Sequence, residues 1–248
     1  MFGRRQTQTP APWAQQAPIN NYRQQQQRQW PGVPQDTVGS GAQRNGPIVK
    51  SCDDFKVVII LDESGSMRDV ASDMIGSLNG LIKEQSTIDR PCRFTLVKFN
   101  DKIKHAVSNK NMKLAKTLSA EDFQPSGSTA LFDAIGDTID RFRYEKDVLM
   151  VIITDGHENV SSVYKKAEIQ RLMDEKKDHR GWSYVYLGND LSVAKQGNEL
   201  GCRKSAFASN CQVSKNNYGK FIDEDLNDAI RQCRTQGTSV QMQLNQKY

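Results

Sequence analysis

The chain has 248 residues, of which 37% are hydrophobic, and a formal net charge of +5. This length fits one sizeable domain with an appendage, and the hydrophobic content is sufficient for a buried core. No apolar run reaches the roughly 18 residues of a membrane span, and no early apolar segment has the form of a signal peptide. We therefore expect no membrane span and a cytoplasmic protein.

Residues 1–50 differ from the rest of the chain in composition and charge. They contain eleven Gln, six of the eight Pro, and six basic residues against one acid, a net charge of +5. The other residues, with 28 basic and 28 acidic side chains, are neutral overall. With so few aliphatic side chains, this segment is expected to be an arm that is disordered or ordered by partners. Its positive charge suits an acidic surface or nucleic acid, although a solvated tail is the simpler interpretation.

The five cysteines, an odd number, include no C-x-x-C pair of the kind that binds zinc. Reduced thiols in a cytoplasmic setting are the simplest interpretation of these cysteines.

The domain predicted over residues 51–248 begins with a buried strand. Lys56–Leu61 is a continuous β-branched run that ends in the turn Asp62–Ser66. The next helix has its apolar face on Met74, Leu78, Leu81 and Ile82. Arg93–Asn100 predicts a second strand, with which Ile103–Val107 can pair across a short turn.

After the loop Gln124–Thr129, helices and strands alternate again. The predicted elements, in chain order, are a helix with Leu131, Ile135, Ile139 and Phe142 on one face, a strand Val148–Thr154, a helix Ser162–Lys177 with Gly181 as its stop, a strand Trp182–Leu187, a helix Leu191–Leu200, a strand-like segment Ser205–Ser209, and a helix Tyr218–Cys233. This order predicts an α/β fold: a three-layer, doubly wound, mainly parallel sheet with one antiparallel edge strand.

Oxygen-bearing side chains gather where the predicted parallel strands end. Asp62, Ser64 and Ser66 alternate in one turn, Asp155 ends another strand, and Thr129 adds a hydroxyl from the intervening loop. Carboxylates and hydroxyls are hard ligands that suit Mg²⁺ or Mn²⁺ better than zinc. Because five oxygen groups with two formal charges leave a small octahedral cation short of ligands, water or a partner's oxygen must complete its coordination.

Three segments resemble the motifs of the von Willebrand factor type A (VWA) family, in the variant found in stand-alone bacterial and phage proteins. They are V-V-I-I-L-D-E-S-G-S-M at 57–67, G-S-T-A-L-F-D-A-I at 127–135 and V-I-I-T-D-G at 151–156. The resemblance implies a metal-ion-dependent adhesion site (MIDAS). In it, Ser64 and Ser66 contact the metal, Thr129 does so directly or through water, and Asp62 and Asp155 often act through water. A Glu or Asp of a protein partner commonly takes the last position.

Several neighbouring residues are open to two interpretations. Asp133 either orients the Thr129 loop or a metal-bound water, or is an ordinary acidic residue at a helix start. Glu63, Glu158 and Asn159 lie near the rim, where a solvated loop is the favoured interpretation. His157 has no evident nucleophile partner and is expected to be exposed. Trp182, Tyr184 and Tyr186 share one strand face, where core packing is favoured over base stacking.

Three functions remain in competition. The leading hypothesis is a binding module that captures an acidic side chain of another protein through Mg²⁺ or Mn²⁺, within a larger assembly. The alternative is a structural subunit of a virion, phage particle or other large complex, anchored by the arm of residues 1–50. A Mg²⁺-dependent phosphatase of the haloacid dehalogenase type is disfavoured, because its second Asp would stand where this chain has Ser64.

Overall fold

The computed structural model describes residues 54–189, 191–202, 208–212, 214, 217–236 and 244. The arm predicted at residues 1–50 lies outside the described residues. Its boundary with the domain, and its proposed contacts, therefore stay predictions.

Six strands form one sheet at the centre of the domain. They are β1 Phe55–Asp62, β2 Cys92–Phe99, β3 Ile103–Asn111, β4 Val148–Thr154, β5 Ser183–Gly188 and β6 Ala208–Gln212. Their order is β3-β2-β1-β4-β5-β6, and β3 alone is antiparallel to its neighbour. The strand order reverses between β1 and β4, which is where open parallel sheets bind ligands. The predicted fold class, with its antiparallel edge strand, is confirmed.

The helices connect the strands as crossovers. A 3₁₀ turn at Gly65–Val70 leads into α1 Ala71–Ser86, and the later helices are α2 Leu131–Arg141, α3 Lys166–Arg180 and α4 Leu191–Glu199. A further helix, α5, covers residues 218–236 and consists of Tyr218–Lys220, a π-helical stretch Phe221–Leu226, and Asn227–Gln236. Short 3₁₀ turns at Met112–Leu114 and Ala120–Asp122 lie between β3 and α2.

Alternate side chains of the central strands build two cores, one on each face of the sheet. On one face Ile59 and Leu61 of β1 pack with α1 and α5. On the other face Val58 and Ile60 pack with α2, α3 and α4, together with the buried Trp182, Tyr184 and Tyr186. Because both faces are covered, β1 and β4 are apolar along almost their whole length. The predicted packing role of the three aromatic side chains is confirmed.

Helix α3 begins at Lys166 and not at Ser162, because Asp133 binds the preceding segment. The Asp133 carboxylate accepts N–H groups from Ser162, Val163 and Tyr164 at 2.8 to 3.0 Å. These amides therefore stay in a loop. The helix stops at Gly181, whose φ of 69° is left-handed, as the sequence predicted.

Two other bounds differ from the prediction. Strand β6 begins at Ala208, while residues 203–207, which the prediction partly included, lie outside the described residues. The π-helical stretch in α5 was not predicted, since a hydrophobic stripe does not distinguish the two helix types over six residues.

At the end of the sheet opposite the Asp62 turn, Arg234 of α5 is buried with 2% of its surface exposed. Its guanidinium donates to Gln85 O and Gln85 Oε1 at 2.6 and 2.9 Å, and to the carbonyls of Ile88 and Arg90. In return, Arg90 donates to the carbonyls of Cys233 and Arg234 at 3.4 and 3.3 Å. The two arginines thus join the carboxyl ends of α1 and α5, where a positive charge is favoured by the helix dipole.

Candidate metal centre

The turn after β1 and the end of β4 bring four of the five predicted ligands within hydrogen-bond reach. Ser64 Oγ lies 3.1 Å from Ser66 Oγ, and Ser66 Oγ donates to Asp155 Oδ1 at 2.5 Å. Asp62 Oδ1 accepts the Ser64 N–H at 2.7 Å. Ser64 occupies the N-cap position of the following 3₁₀ turn, but its side chain makes no capping hydrogen bond. Its hydroxyl instead contacts Ser66, another of the predicted ligands.

The fifth predicted ligand, Thr129, reaches the same place across Gly156. A Cβ added to Gly156 would lie 3.1 Å from Thr129 Oγ1 and 3.7 Å from Asp62 Oδ2. Both oxygens thus border the same glycine, and a larger residue there would crowd the Thr129 hydroxyl. The Gly65 N–H also donates to Gly127 O at 3.2 Å, which joins the Thr129 loop to the β1 turn. The five predicted residues meet at the switch point of the sheet.

The Asp62 carboxylate is held in a setting that disfavours its negative charge. Burial raises the pKa of Asp62, and the neighbouring Asp155 carboxylate adds to the rise, against hydrogen bonds from Thr154 and Ser64 that lower it. Thr154 Oγ1 donates to Asp62 Oδ2 at 2.6 Å. Two neighbouring carboxylates of the same sign make a cation the natural complement of this site.

The donor set matches a hard cation. Among the described residues, no three His, Cys, Asp or Glu side chains form a metal-binding group. Any cation held here would therefore be bound by a mixture of two carboxylates and three hydroxyls. Such all-oxygen sets fit Mg²⁺ and Mn²⁺, whereas zinc sites are usually built from His and Cys.

Glu63 does not lie in a solvated rim, and that interpretation was wrong. The residue is 1% exposed, and its carboxylate contacts Lys98 Nζ at 2.9 Å and Lys104 Nζ at 3.3 Å. Burial on its own would raise the pKa of Glu63, but the Gln124 N–H and the two ammonium groups outweigh it and lower the pKa. The strand pairing of β1, β2 and β3 brings these cations to Glu63.

Glu158 and Asn159 lie at the rim, where they hold the backbone of neighbouring segments. The Asn159 side chain accepts the Thr129 N–H at 3.0 Å, and the Asn159 N–H donates to Thr129 O at 3.1 Å. Glu158 accepts the Phe132 N–H at the start of α2 and two N–H groups of its own loop. Asn159 therefore fixes Thr129 directly, and Glu158 fixes the helix that follows it. Neither role follows from the sequence, because both depend on contacts between distant loops.

The Asp133 carboxylate is bonded to the loop before α3. It accepts the three N–H groups of residues 162–164, while its own N–H donates to Ser161 Oγ at 3.0 Å. The geometry thus favours a structural role at the start of α2 over a metal-bound water.

His157 is exposed, as expected, but the sequence did not reveal its neighbour. His157 Nε2 lies 2.9 Å from Ser192 Oγ at the start of α4. The contact ties the loop after β4 to the helix after β5.

Comparison with known proteins identifies the fold and the family. One similar structure is the vWF domain of the type V pili tip protein Mfa5 from Porphyromonas gingivalis, with a TM-score of 0.53 and 10% identity, covering 74% of this chain and 97% of that one. Another is proximal thread matrix protein 1 from the mussel byssus with a zinc-occupied MIDAS motif, with a TM-score of 0.50 and 13% identity, covering 68% of this chain and 46% of that one. The present chain thus spans about half the length of the mussel protein. At these identities the likeness shows the fold alone.

No curated protein sequence matches the chain. None of the helices in the described part of the chain combines the length and apolarity needed to cross a membrane. The sequence itself matches the von Willebrand factor type A domain over residues 56–224, which is more than half of its length. The chain therefore belongs to the von Willebrand factor type A domain family.

Proposed function

We propose that this protein is a divalent-cation-dependent binding module. Asp62, Ser64, Ser66, Thr129 and Asp155 would hold Mg²⁺ or Mn²⁺, and the cation would capture a Glu or Asp side chain of a protein partner. The observation that carries the proposal is the convergence of two carboxylates and three hydroxyls at the switch point of the sheet.

The chemistry of the site supports a cation that still accepts an external ligand. When bound, the cation would supply positive charge between two carboxylates that are costly to keep together. Five side-chain oxygens fall short of an octahedral shell, so an outside oxygen completes it. The mussel protein, whose MIDAS motif holds zinc, supports a divalent cation in this fold, and the all-oxygen donor set here favours Mg²⁺ or Mn²⁺.

Exposed apolar side chains beside the site support a protein as the partner. Val160 and Val163, on the loop after β4, are 44% and 54% exposed, and Leu191, at the start of α4, is 76% exposed. The His157–Ser192 contact places these two segments side by side at the carboxyl edge of the sheet. A carboxylate on a protein surface would bring apolar atoms with it, whereas a small free anion would not.

The proposal is tested by affinity capture. Wild-type protein on a resin should retain its partner from an extract in Mg²⁺ and release it into EDTA. The Asp62→Ala variant should retain nothing, while Asp178→Ala, a change of the same type at an exposed position on α3, should behave as wild type. Retention that survives EDTA, or that Asp62→Ala leaves intact, would contradict the proposal.

Catalysis is the less favoured use of the same residues. A phosphatase that attacks through Asp62 would need a second Asp where Ser64 stands, and Asp62 is fully buried beneath the turn. Hydrolysis of p-nitrophenyl phosphate by the full chain in Mg²⁺, lost in Asp62→Ala, would establish the enzyme instead.

The binding module is also proposed to work inside a larger assembly, such as a virion or phage particle, with residues 1–50 as the tether. The basic, Gln-rich composition of these residues supports this role. Deletion of residues 1–50 should abolish incorporation into the assembly but leave cation-dependent capture unchanged. If the protein without residues 1–50 no longer captures its partner, the proposal that tethering and capture are separate functions is contradicted.

A further inference from the structure

Glu63 lies between two predicted metal ligands in the sequence, but its side chain contacts a different part of the domain. Asp62 and Ser64 face the centre described above, whereas the Glu63 carboxylate is buried against β2. It receives Lys98 Nζ at 2.9 Å and the Gln124 N–H at 2.8 Å on the same oxygen, Oε1. A single buried carboxylate thus joins β1 to β2 and to the segment before Thr129.

Lys98 extends this connection. It is 8% exposed, and besides Glu63 it donates to the backbone oxygen of Asp122. The backbone of Glu63 contributes as well, since its oxygen accepts the Ser126 N–H at 2.8 Å. Residues 122–126 are therefore attached to Glu63 and Lys98 at three points, two of them through the side chains of the buried ion pair.

The attached segment leads directly to the Thr129 hydroxyl. Asn100 Nδ2 donates to Ser126 O at 2.9 Å, and Asn100 O accepts the Ala130 N–H at 2.8 Å, so the residue that follows β2 holds the segment on both sides of Thr129. No metal ligand takes part in these bonds. The location of Thr129 relative to Asp62 and Asp155 consequently depends on residues that lie outside the predicted coordination shell.

We propose that Glu63 and Lys98 are positioning residues of the metal centre, which set its cation affinity by fixing the loop of residues 122–129. This inference rests on the proposed function, because it concerns the affinity of the same site. Groups that orient metal ligands are commonly as necessary as the ligands themselves. Lys104 differs from Lys98: its side chain is 54% exposed, and its ion pair with Glu63 at 3.3 Å adds charge but no bond to the loop.

The inference is tested by measuring Mn²⁺ affinity of the full chain, with free Mn²⁺ followed by electron paramagnetic resonance. Glu63→Gln should weaken Mn²⁺ binding by about 10-fold to 100-fold, the range found when groups that orient metal ligands are removed. In a Thr129→Ala background the same change should have no further effect, because its path to the metal is already gone. Equal effects of Glu63→Gln in both backgrounds would mean that its charge acts through space, and would overturn the inference.

Three further variants control the measurement. Lys104→Met should change the affinity by less than about twofold, as for an exposed ion pair, and Glu199→Gln, which breaks an ion pair with Lys166 away from the site, should leave it unchanged. If circular dichroism shows that Glu63→Gln does not fold, the double variant E63Q/K98M takes its place. It removes the ion pair between residues 63 and 98 without leaving Lys98 as an unpaired buried charge, and the same loss of Mn²⁺ affinity is expected. If the wild type binds Mn²⁺ and the folded Glu63→Gln or E63Q/K98M variant binds it with the same affinity, this inference alone is overturned. No Mn²⁺ binding by wild type would overturn the proposed function together with it.

Discussion

The two ends of the sheet bury charged groups in opposite ways. At one end the Arg234 guanidinium donates to four carbonyl oxygens, so the protein itself supplies the complement of the charge. At the other end the buried Asp62 carboxylate has a second carboxylate, Asp155, as its neighbour, and the nearby Lys98 is bonded to Glu63. The first arrangement surrounds its charge with acceptors from the protein itself, whereas the second would be improved by a bound cation. Burial of charge therefore serves stability at one end and, under the proposed function, binding at the other.

The largest expected effect is on stability, at the Arg234 end. Arg234→Met leaves the carbonyls of Gln85, Ile88 and Arg90 without their donor, which should lower the free energy of unfolding by about 3 kcal/mol. Urea denaturation measures this loss. Mn²⁺ affinity of the folded protein should stay the same, and a matching loss of affinity would mean that the two ends are not independent. Arg231→Met, on the same helix but exposed, is the control and should change stability little.

A nearly equal effect, visible only with cation present, is expected at Asp62. At a cation concentration of about 100 times Kd, binding should stabilise the wild type by about 2.7 kcal/mol. Asp62→Asn should lose this gain, because one of the two carboxylates becomes neutral. Without cation the variant should be as stable as wild type or more so, since the repulsion with Asp155 is gone. Thermal unfolding with Mg²⁺ and with EDTA measures both results, and a cation-dependent rise that survives in Asp62→Asn would remove Asp62 from the site.

Gly156→Ala should reduce cation affinity more than stability. The added Cβ would lie 3.1 Å from Thr129 Oγ1, tight enough that the hydroxyl must move. We expect weaker Mn²⁺ binding, on the order of tenfold, as when a ligand loses its orientation. Gly76→Ala is the matched control: its Cβ would meet nothing within 4 Å, so on α1 it should stabilise the fold by about 0.5 to 1 kcal/mol. Unchanged Mn²⁺ affinity in Gly156→Ala would place Thr129 outside the metal shell.

The sequence predicts the residues at the Asp62 end of the sheet but not those at the Arg234 end. Asp62, Ser64, Ser66 and Asp155 lie in short motifs at strand ends, and the parallel pairing of β1 with β4 brings them together, whereas Thr129 comes from the loop before α2. Glu63 was assigned to the rim because its partners Lys98 and Lys104 are 35 and 41 residues away. Arg234 gave no signal at all, since its acceptors are 144 to 149 residues distant and mostly backbone oxygens. Local motifs are enough to predict candidate ligands, but the contacts that hold these residues depend on packing between distant segments.

The smallest expected effect concerns Asp133, the residue that the sequence left between a metal role and a structural one. Its carboxylate accepts three N–H groups from residues 162–164, so Asp133→Asn replaces one acceptor oxygen by an amide that cannot accept. The variant should lose about 1 kcal/mol of stability and keep its Mn²⁺ affinity. A change of affinity in a fully folded Asp133→Asn would instead show that Asp133 orients a metal-bound water. The residues that determine cation affinity would then include the start of α2 as well as the strand ends.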